Sequence, residues 1–295
     1  MGFDTAYEAI SEDTDSGHRW AFGTGFADPL AGVDTAVPDG VDGADLAAYC
    51  LMLGDDALIM SHRLQQWLAR APELEEDTAL ANIALDLLGQ ARLLLARAGA
   101  ADGSGRTEDD YAFGRGEREF RNVRLAEVTD ADFAGLMARL LVFSTWRLAL
   151  LARLRSSADP VLAAVAAQGV KELTYHRDYA AEWVIRLGDG TEYSRERMQA
   201  GLTAVASLIP ELFETSAVEG RLVAASLAPD PAEIQGECDA VIARVLADAT
   251  LELPPAEALA GVRGQAGRDG VHTEVMGYLL AELQSVARTM PGATW

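Results

Sequence analysis

KELTYHRDYAAEWVIRL, Lys171 to Leu187, reads as a long helix that stops at Gly188, a C′ glycine. It also comes within one letter of a metal motif. Carboxylate-bridged di-metal bundles place Glu-x-x-His on a helix, where the i,i+3 spacing puts both ligands on one face. Here Glu172 and His176 are four apart, and Leu173 stands three before His176. Either the helix holds a metal in another way or a metal site has been lost.

The segments around it are helical too. The helix begins at Asp159-Pro160, an N-cap followed by proline at N1. Upstream, FAGLMARLLVFSTWRLALLARLRSS predicts a helix from Thr129, with Asp132 three residues on in a capping-box pattern. DLAAYCLMLGDDALIMSHRLQQWL, from Asp45, carries apolar residues at three- and four-residue spacing. Gly54 within it weakens the helix or marks a close contact. Arg70 to Pro72 breaks it. The next helix follows, with Glu73, Glu75, Glu76 and Asp77 at its positive end. Ala100 to Gly105 then forms a loop. Downstream, Ser194 is expected to cap a fifth helix that Pro210 kinks or ends, Asp230-Pro231 to open a sixth, and a last helix to run from about Asp269 to Met290.

No segment alternates with period two, so the chain is expected to be all-α. Four long helices between 45 and 187 fall into two antiparallel pairs with a long connection between the second and third. That is the ferritin-like four-helix bundle, with additional C-terminal helices around it. Residues 1–44 hold nine acids and one arginine among Gly, Asp and Pro, and read as an acidic irregular arm; 45–295 form the helical domain. HRWAFGTGF in the arm is aromatic enough to dock somewhere, or is part of a mobile tail.

The 295 residues carry 24 basic and 46 acidic side chains, a formal charge of −22. Such a field repels nucleic acid and anionic membrane surfaces. Cys50 and Cys238 make no CxxC pair, and no basic-then-apolar leader opens the chain. The longest apolar runs, such as VLAAVAAQGV, are too short to span a membrane. A reduced, soluble, cytoplasmic protein is the expectation. Arg115, Arg118, Arg121 and Arg124 form the densest basic segment, suited to an acidic partner, a phosphorylated ligand, or the protein's own acids.

A ferritin-like bundle that activates oxygen takes one Glu from each of two helices and Glu-x-x-His from each of two others. No Glu-x-x-His occurs in this chain. Asp-x-x-His occurs at Asp15/His18 and Asp269/His272, outside the four helices. The third helix has no carboxylate between Asp132 and Asp159. The second has only Asp86 at its middle, and of Asp55 and Asp56 in the first only one is expected to face inward. An opened site of Glu172, His176, Asp86 and one of Asp55 or Asp56 is the metal-binding alternative. Otherwise His176 is a hydrogen-bonded bundle histidine, with Glu172 paired or solvated near Lys171, and His62 lies at a helix boundary. GxSxG, GxGxxG and P-loop motifs are absent. GRDGVHTE, Gly267 to Glu274, puts polar groups at a helix start, for an anion or for ordinary capping by Asp269.

Three stretches carry a resemblance: LGDDALIMSHRLQQWLARAPELEEDTALANIALDLLGQAR (53–92), KELTYHRDYAAEW (171–183) and GVHTEVMGYLLAELQSVARTMPGATW (270–295). The chain resembles the C subunits of the bacterial phenylacetyl-CoA ring-1,2-epoxidases over about 45–295. The resemblance implies a non-catalytic structural subunit with no cofactor of its own, paired as a heterodimer or heterotetramer with a related A subunit. That A subunit holds the di-iron centre and binds the CoA thioester. A small B subunit and a reductase with flavin and an iron–sulfur cluster complete the monooxygenase, which epoxidises the aromatic ring in phenylacetate catabolism.

Laid on the catalytic sister's pattern, Asp-Glu-Ala-Gly-His becomes Asp86-Leu87-Leu88-Gly89-Gln90, and Lys-Glu-Glu-Ser-Phe-His becomes Lys171-Glu172-Leu173-Thr174-Tyr175-His176. The first-helix Glu falls at Ala57, from the shared Trp-x-x-Arg-Ala-Pro at Trp67 to Pro72. The resemblance thus implies a degenerate metal site at Ala57, Leu87, Gln90, Leu173 and His176. Asp86, Lys171 and Glu172 form a candidate polar network beside it. The expectation is an uncharged interior in which Gln90 and His176 bond across helices. An independent metal-dependent oxidase and a stand-alone binding module are the competing readings.

Overall fold

In a computed structural model the described residues are 30–291 and 293. The aromatic stretch of the arm, Asp15/His18, Gly292 and Trp295 lie outside them. Among the described residues the fold is all-α, with no β-structure beyond an isolated Val262–Gln265 bridge. The helices are α1 (Gly43–Gln65), α2 (Leu74–Ala101), α3 (Glu108–Gly114), α4 (Arg124–Glu127), α5 (Phe133–Leu154), α6 (Pro160–Gly188), α7 (Glu192–Ala206), α8 (Ala217–Ala224), α9 (Gln235–Asp248), α10 (Val275–Leu283) and α11 (Ser285–Thr289).

The sequence signals place most boundaries. Asp42 caps α1 and Asp159 caps α6, each carboxylate accepting a backbone N–H of the first turn. Three starts differ. Asp132, not Thr129, caps α5 by accepting from Gly135 N at 2.8 Å. Thr191 caps α7, and Ser194 is the third residue of its capping box. The last expected helix is broken: Gly267–Asp269 is a single 3₁₀ turn ended by Gly270 at φ +78°, and regular helix resumes only at Val275. Pro210 opens a short 3₁₀ turn, and Pro231 another that leads into α9.

Helices α1 and α2 form one antiparallel pair and α5 and α6 the other, a ferritin-like four-helix bundle. Gly54 marks a close contact: a Cβ there would lie 2.9 Å from a Leu95 methyl of α2. Helix α5 is the central one, buried along 18 of its 22 residues. Each fully buried Leu or Phe on it contributes roughly 1.5–3 kcal/mol. Helices α2 and α5 are both long and apolar enough to cross a membrane by length and composition, yet the apolar window of α5 is 89% buried within the fold. Helix α7 packs on α5 and α6, and α9 covers the same pair. Residues from Val33 onward belong to the helical unit. Arg97 of α2 holds Ala36 O at 3.1 Å and pairs with the buried Asp159 cap of α6. Burial pushes the Cys50 thiol upward and Cys238 to about 12, so neither is a thiolate near neutrality.

The long crossover from Asp102 to Asp132 contains α3, a 3₁₀ turn and α4, and it is fastened to α1 by two consecutive carboxylates. Both Asp55 and Asp56 are fully buried, which corrects the expectation that only one faces inward. Asp55 takes both guanidinium ends of Arg115 and the Arg121 N–H at 2.8 Å. Asp56 takes the Val123 N–H at 2.8 Å and both ends of Arg268 at 2.9 Å. Burial lowers the Arg268 pKa, but the charges of Asp56, Glu219 and Glu211 outweigh that and leave it above its ordinary value. The basic crossover segment is therefore spent largely on the protein's own acids: Arg115 on Asp55 and Arg124 on Glu211 at 2.7 Å. Removing one partner of a buried pair leaves an uncompensated charge. Asp55→Ala is expected to lower stability by about 3–5 kcal/mol, read as a lower midpoint in urea unfolding followed by circular dichroism.

Candidate functional site

The bundle interior between α1, α2, α5 and α6 contains a chain of polar side chains. Gln90 of α2 and Arg147 of α5 are buried, the latter fully. Arg147 donates from Nε to Gln90 Oε1 at 3.0 Å and from Nη1 to Leu53 O of α1 at 3.2 Å. Gln90 in turn donates from Nε2 to Glu172 Oε2 of α6 at 2.8 Å. The other Glu172 oxygen accepts from Gln168 at 2.7 Å. One helical turn away, fully buried His176 meets Asp86 Oδ2 across the α2–α6 gap at 2.9 Å. Gly169 makes room for this arrangement, since a Cβ there would lie 2.6 Å from a Leu151 methyl and 3.2 Å from Gln90 Cδ.

Gln90 and His176 thus both bond across helices, but to Glu172 and Asp86 respectively. Lys171 is exposed and makes no bond to this network, so it drops out of it. Ala57, Leu87 and Leu173 are fully buried. The interior is not uncharged: the Arg147 guanidinium sits there, a residue that the ligand count passed over. Its only sequence signal is a lone arginine in the apolar run LVFSTWRLALL. Burial pulls its pKa down to about 10, with Asp56 opposing that shift. It remains a cation at neutral pH.

The other candidate ligands do not converge. Asp269 accepts from Ala266 N at 3.1 Å, while His272 turns to Glu127 at 2.7 Å. His62 sits at the edge of α1, 3.7 Å from Glu282, its pKa lowered by burial. Among the described residues no three His, Cys, Asp or Glu side chains gather as a ligand set.

A family model described as "Phenylacetic acid catabolic protein" matches residues 34–295. The chain belongs to this phenylacetic acid catabolic protein family. Within the family, it is similar to the C subunit of the 1,2-phenylacetyl-CoA epoxidase of Escherichia coli (strain K12). The two are 41% identical over 250 residues, which cover 85% of this chain and 99% of that relative. The interior contacts above lie inside the matched region.

The Arg147–Gln90–Glu172 chain has an energetic signature. Arg147→Ala removes a large buried side chain and orphans Gln90 Oε1, and is expected to cost about 3–5 kcal/mol. Arg147→Met keeps most of the volume and is expected to cost about 1–3 kcal/mol. Equilibrium unfolding of the two variants checks that order.

Proposed function

We propose that this chain is a non-catalytic structural subunit of a phenylacetyl-CoA epoxidase. It pairs as a heterodimer or heterotetramer with a related di-iron A subunit and stabilises it in phenylacetate catabolism. The small B subunit and a reductase carrying flavin and an iron–sulfur cluster complete the assembly. The A subunit supplies the metal chemistry, and this chain supplies a fitted helical partner.

The observation that carries this reading is Arg147 bonded to Gln90. Gln90 stands where the catalytic pattern has a ligand histidine, and Ala57, Leu87 and Leu173 stand in place of ligand glutamates. A dication about 5 Å from the guanidinium would meet a repulsion on the order of 7 kcal/mol at an effective dielectric of about 20. The hydrogen-bonded chain meets the same need for internal polar partners that a metal meets in a ligand set. The alternative, an independent ferritin-like metal-binding oxidase with a non-standard site, has to assemble around that fixed cation.

Helix α2 supports a partner rather than a stand-alone module. It passes the same length-and-composition test as α5, yet its apolar window is only 44% buried in this chain. Leu74 and Leu85 on α2 and Tyr175 on α6 are exposed. Apolar surface left uncovered on a helix is what a subunit interface would bury.

Co-expression with the A subunit tests the reading. The two chains are expected to co-purify as one species, with iron stoichiometric to the A subunit. Epoxidation of phenylacetyl-CoA is expected to fall when this chain is left out. Iron or manganese bound stoichiometrically by this chain alone would sink the proposal.

A further inference from the structure

His272 lies outside the bundle interior, on the segment between the Gly267–Asp269 turn and α10. Its side chain and that of Glu127 are both fully buried. Nδ1 of the ring faces Glu127 Oε2 at 2.7 Å, and Nε2 faces the Phe120 carbonyl oxygen at 3.2 Å. Both partners are acceptors. A neutral imidazole has one N–H and one lone pair, so either tautomer would set a lone pair against an oxygen. Only the imidazolium donates on both sides.

The carboxylate of Glu127 is organised to receive that charge. Asn122 Nδ2 donates to it at 2.8 Å and the Thr273 N–H at 2.5 Å. Arg63 of α1 binds the Glu127 carbonyl at 2.6 Å and reaches Val275 O. Arg121 shares the Phe120 carbonyl at 2.8 Å, and Glu117 of the neighbouring 3₁₀ turn adds negative charge nearby. Within the segment itself, Arg268 is paired with Asp56, Asp269 caps Ala266, and Glu274 is exposed. The anions nearest the ring are thus Glu127 and Glu117, set against Arg63 and Arg121.

We propose that His272 and Glu127 form a proton-operated clasp that fastens the C-terminal helices α10 and α11 to the crossover. At the far end of that attachment Gln284 donates to Ala112 O and Arg115 O at 2.9 and 3.0 Å, bonds that do not titrate. His62 of α1 lies 3.7 Å from Glu282 of α10 with its pKa lowered by burial, so it is set to change charge on the acid side of His272. The clasp is the end that opens as pH rises.

The direction follows from linkage. Burial lowers the His272 pKa, but its bonds to Glu127 and Phe120 outweigh that and leave it above the ordinary value. A raised pKa in the folded state contributes stability that is fully present below the unfolded pKa of about 6.5. It is lost as pH rises through the folded value. Between those two values the opening constant gains up to about tenfold per pH unit, because one proton is released.

Two measurements on the full chain test this. Nitrogen-15 NMR of the ring in the unmutated protein is expected to show both nitrogens protonated at pH 7; a neutral tautomer there would overturn the clasp. Hydrogen exchange over residues 270–284, corrected for intrinsic rates, is expected to show opening that grows from pH 6 to pH 9. In His272→Gln that growth is expected to flatten, with residues 136–151 of α5 as the internal reference. Equal pH dependence in the two proteins would also overturn it. Should His272→Gln not fold, Glu127→Gln replaces it in the same comparison, and the NMR result needs no variant.

Discussion

Two adjacent carboxylates in the first helix set the terms for the remainder of the fold. Neighbouring residues on an α-helix point about 100° apart, so Asp55 and Asp56 face different partners although both are buried. One gathers the start of the crossover through Arg115. The other gathers its middle through Val123 and the distant Arg268. Two buried anions this close would be ruinous alone. With an arginine and a backbone N–H on each, they convert a long connection into a fitted layer. That layer, held on α1, is where the chain passes from the first helical pair to the second and where the segment containing Arg268 returns.

The same economy of charge runs through the interior. Arg147 is hydrogen-bonded through Gln90 to Glu172 at the bundle edge, while the charge of Asp56 offsets part of the cost of burying it. The polar chain therefore runs from the centre of the bundle to its surface. Hydrophobic residues fill the space on either side of it, and Gly169 lets α6 approach closely enough for the amide to bridge.

Much of this was legible in the sequence. Apolar spacing, Asp132, Asp159-Pro160 and the acids after Glu73 mark the four bundle helices, because capping and periodicity are local. Boundaries slipped by a few residues where two candidate caps compete, as at Thr129 and Asp132 or Thr191 and Ser194. The crossover shows in the sequence as charge rather than structure, since α3 and α4 are too short to have a visible period. Buried pairs were harder. Arg147 looks like an isolated surface charge until α2 is laid against it, and Asp55 and Asp56 look like one inward and one outward residue until Arg268 arrives from the far end of the chain. His272 paired in sequence with Asp269 but in space with Glu127, across 145 positions. A spacing rule cannot see such partners.

The distance between Asp56 and Arg268 along the chain, 212 residues, has a consequence for biosynthesis. At about 5–20 residues per second, translation takes roughly 10–40 seconds to deliver the arginine after the aspartate. Throughout that interval the nascent α1–α2 hairpin has a carboxylate that it cannot bury. Helices α5 and α6, complete by Gly188, can cover the hairpin's apolar face well before Arg268 is made, so the Asp56 charge is the last part of this layer to find its side-chain partner.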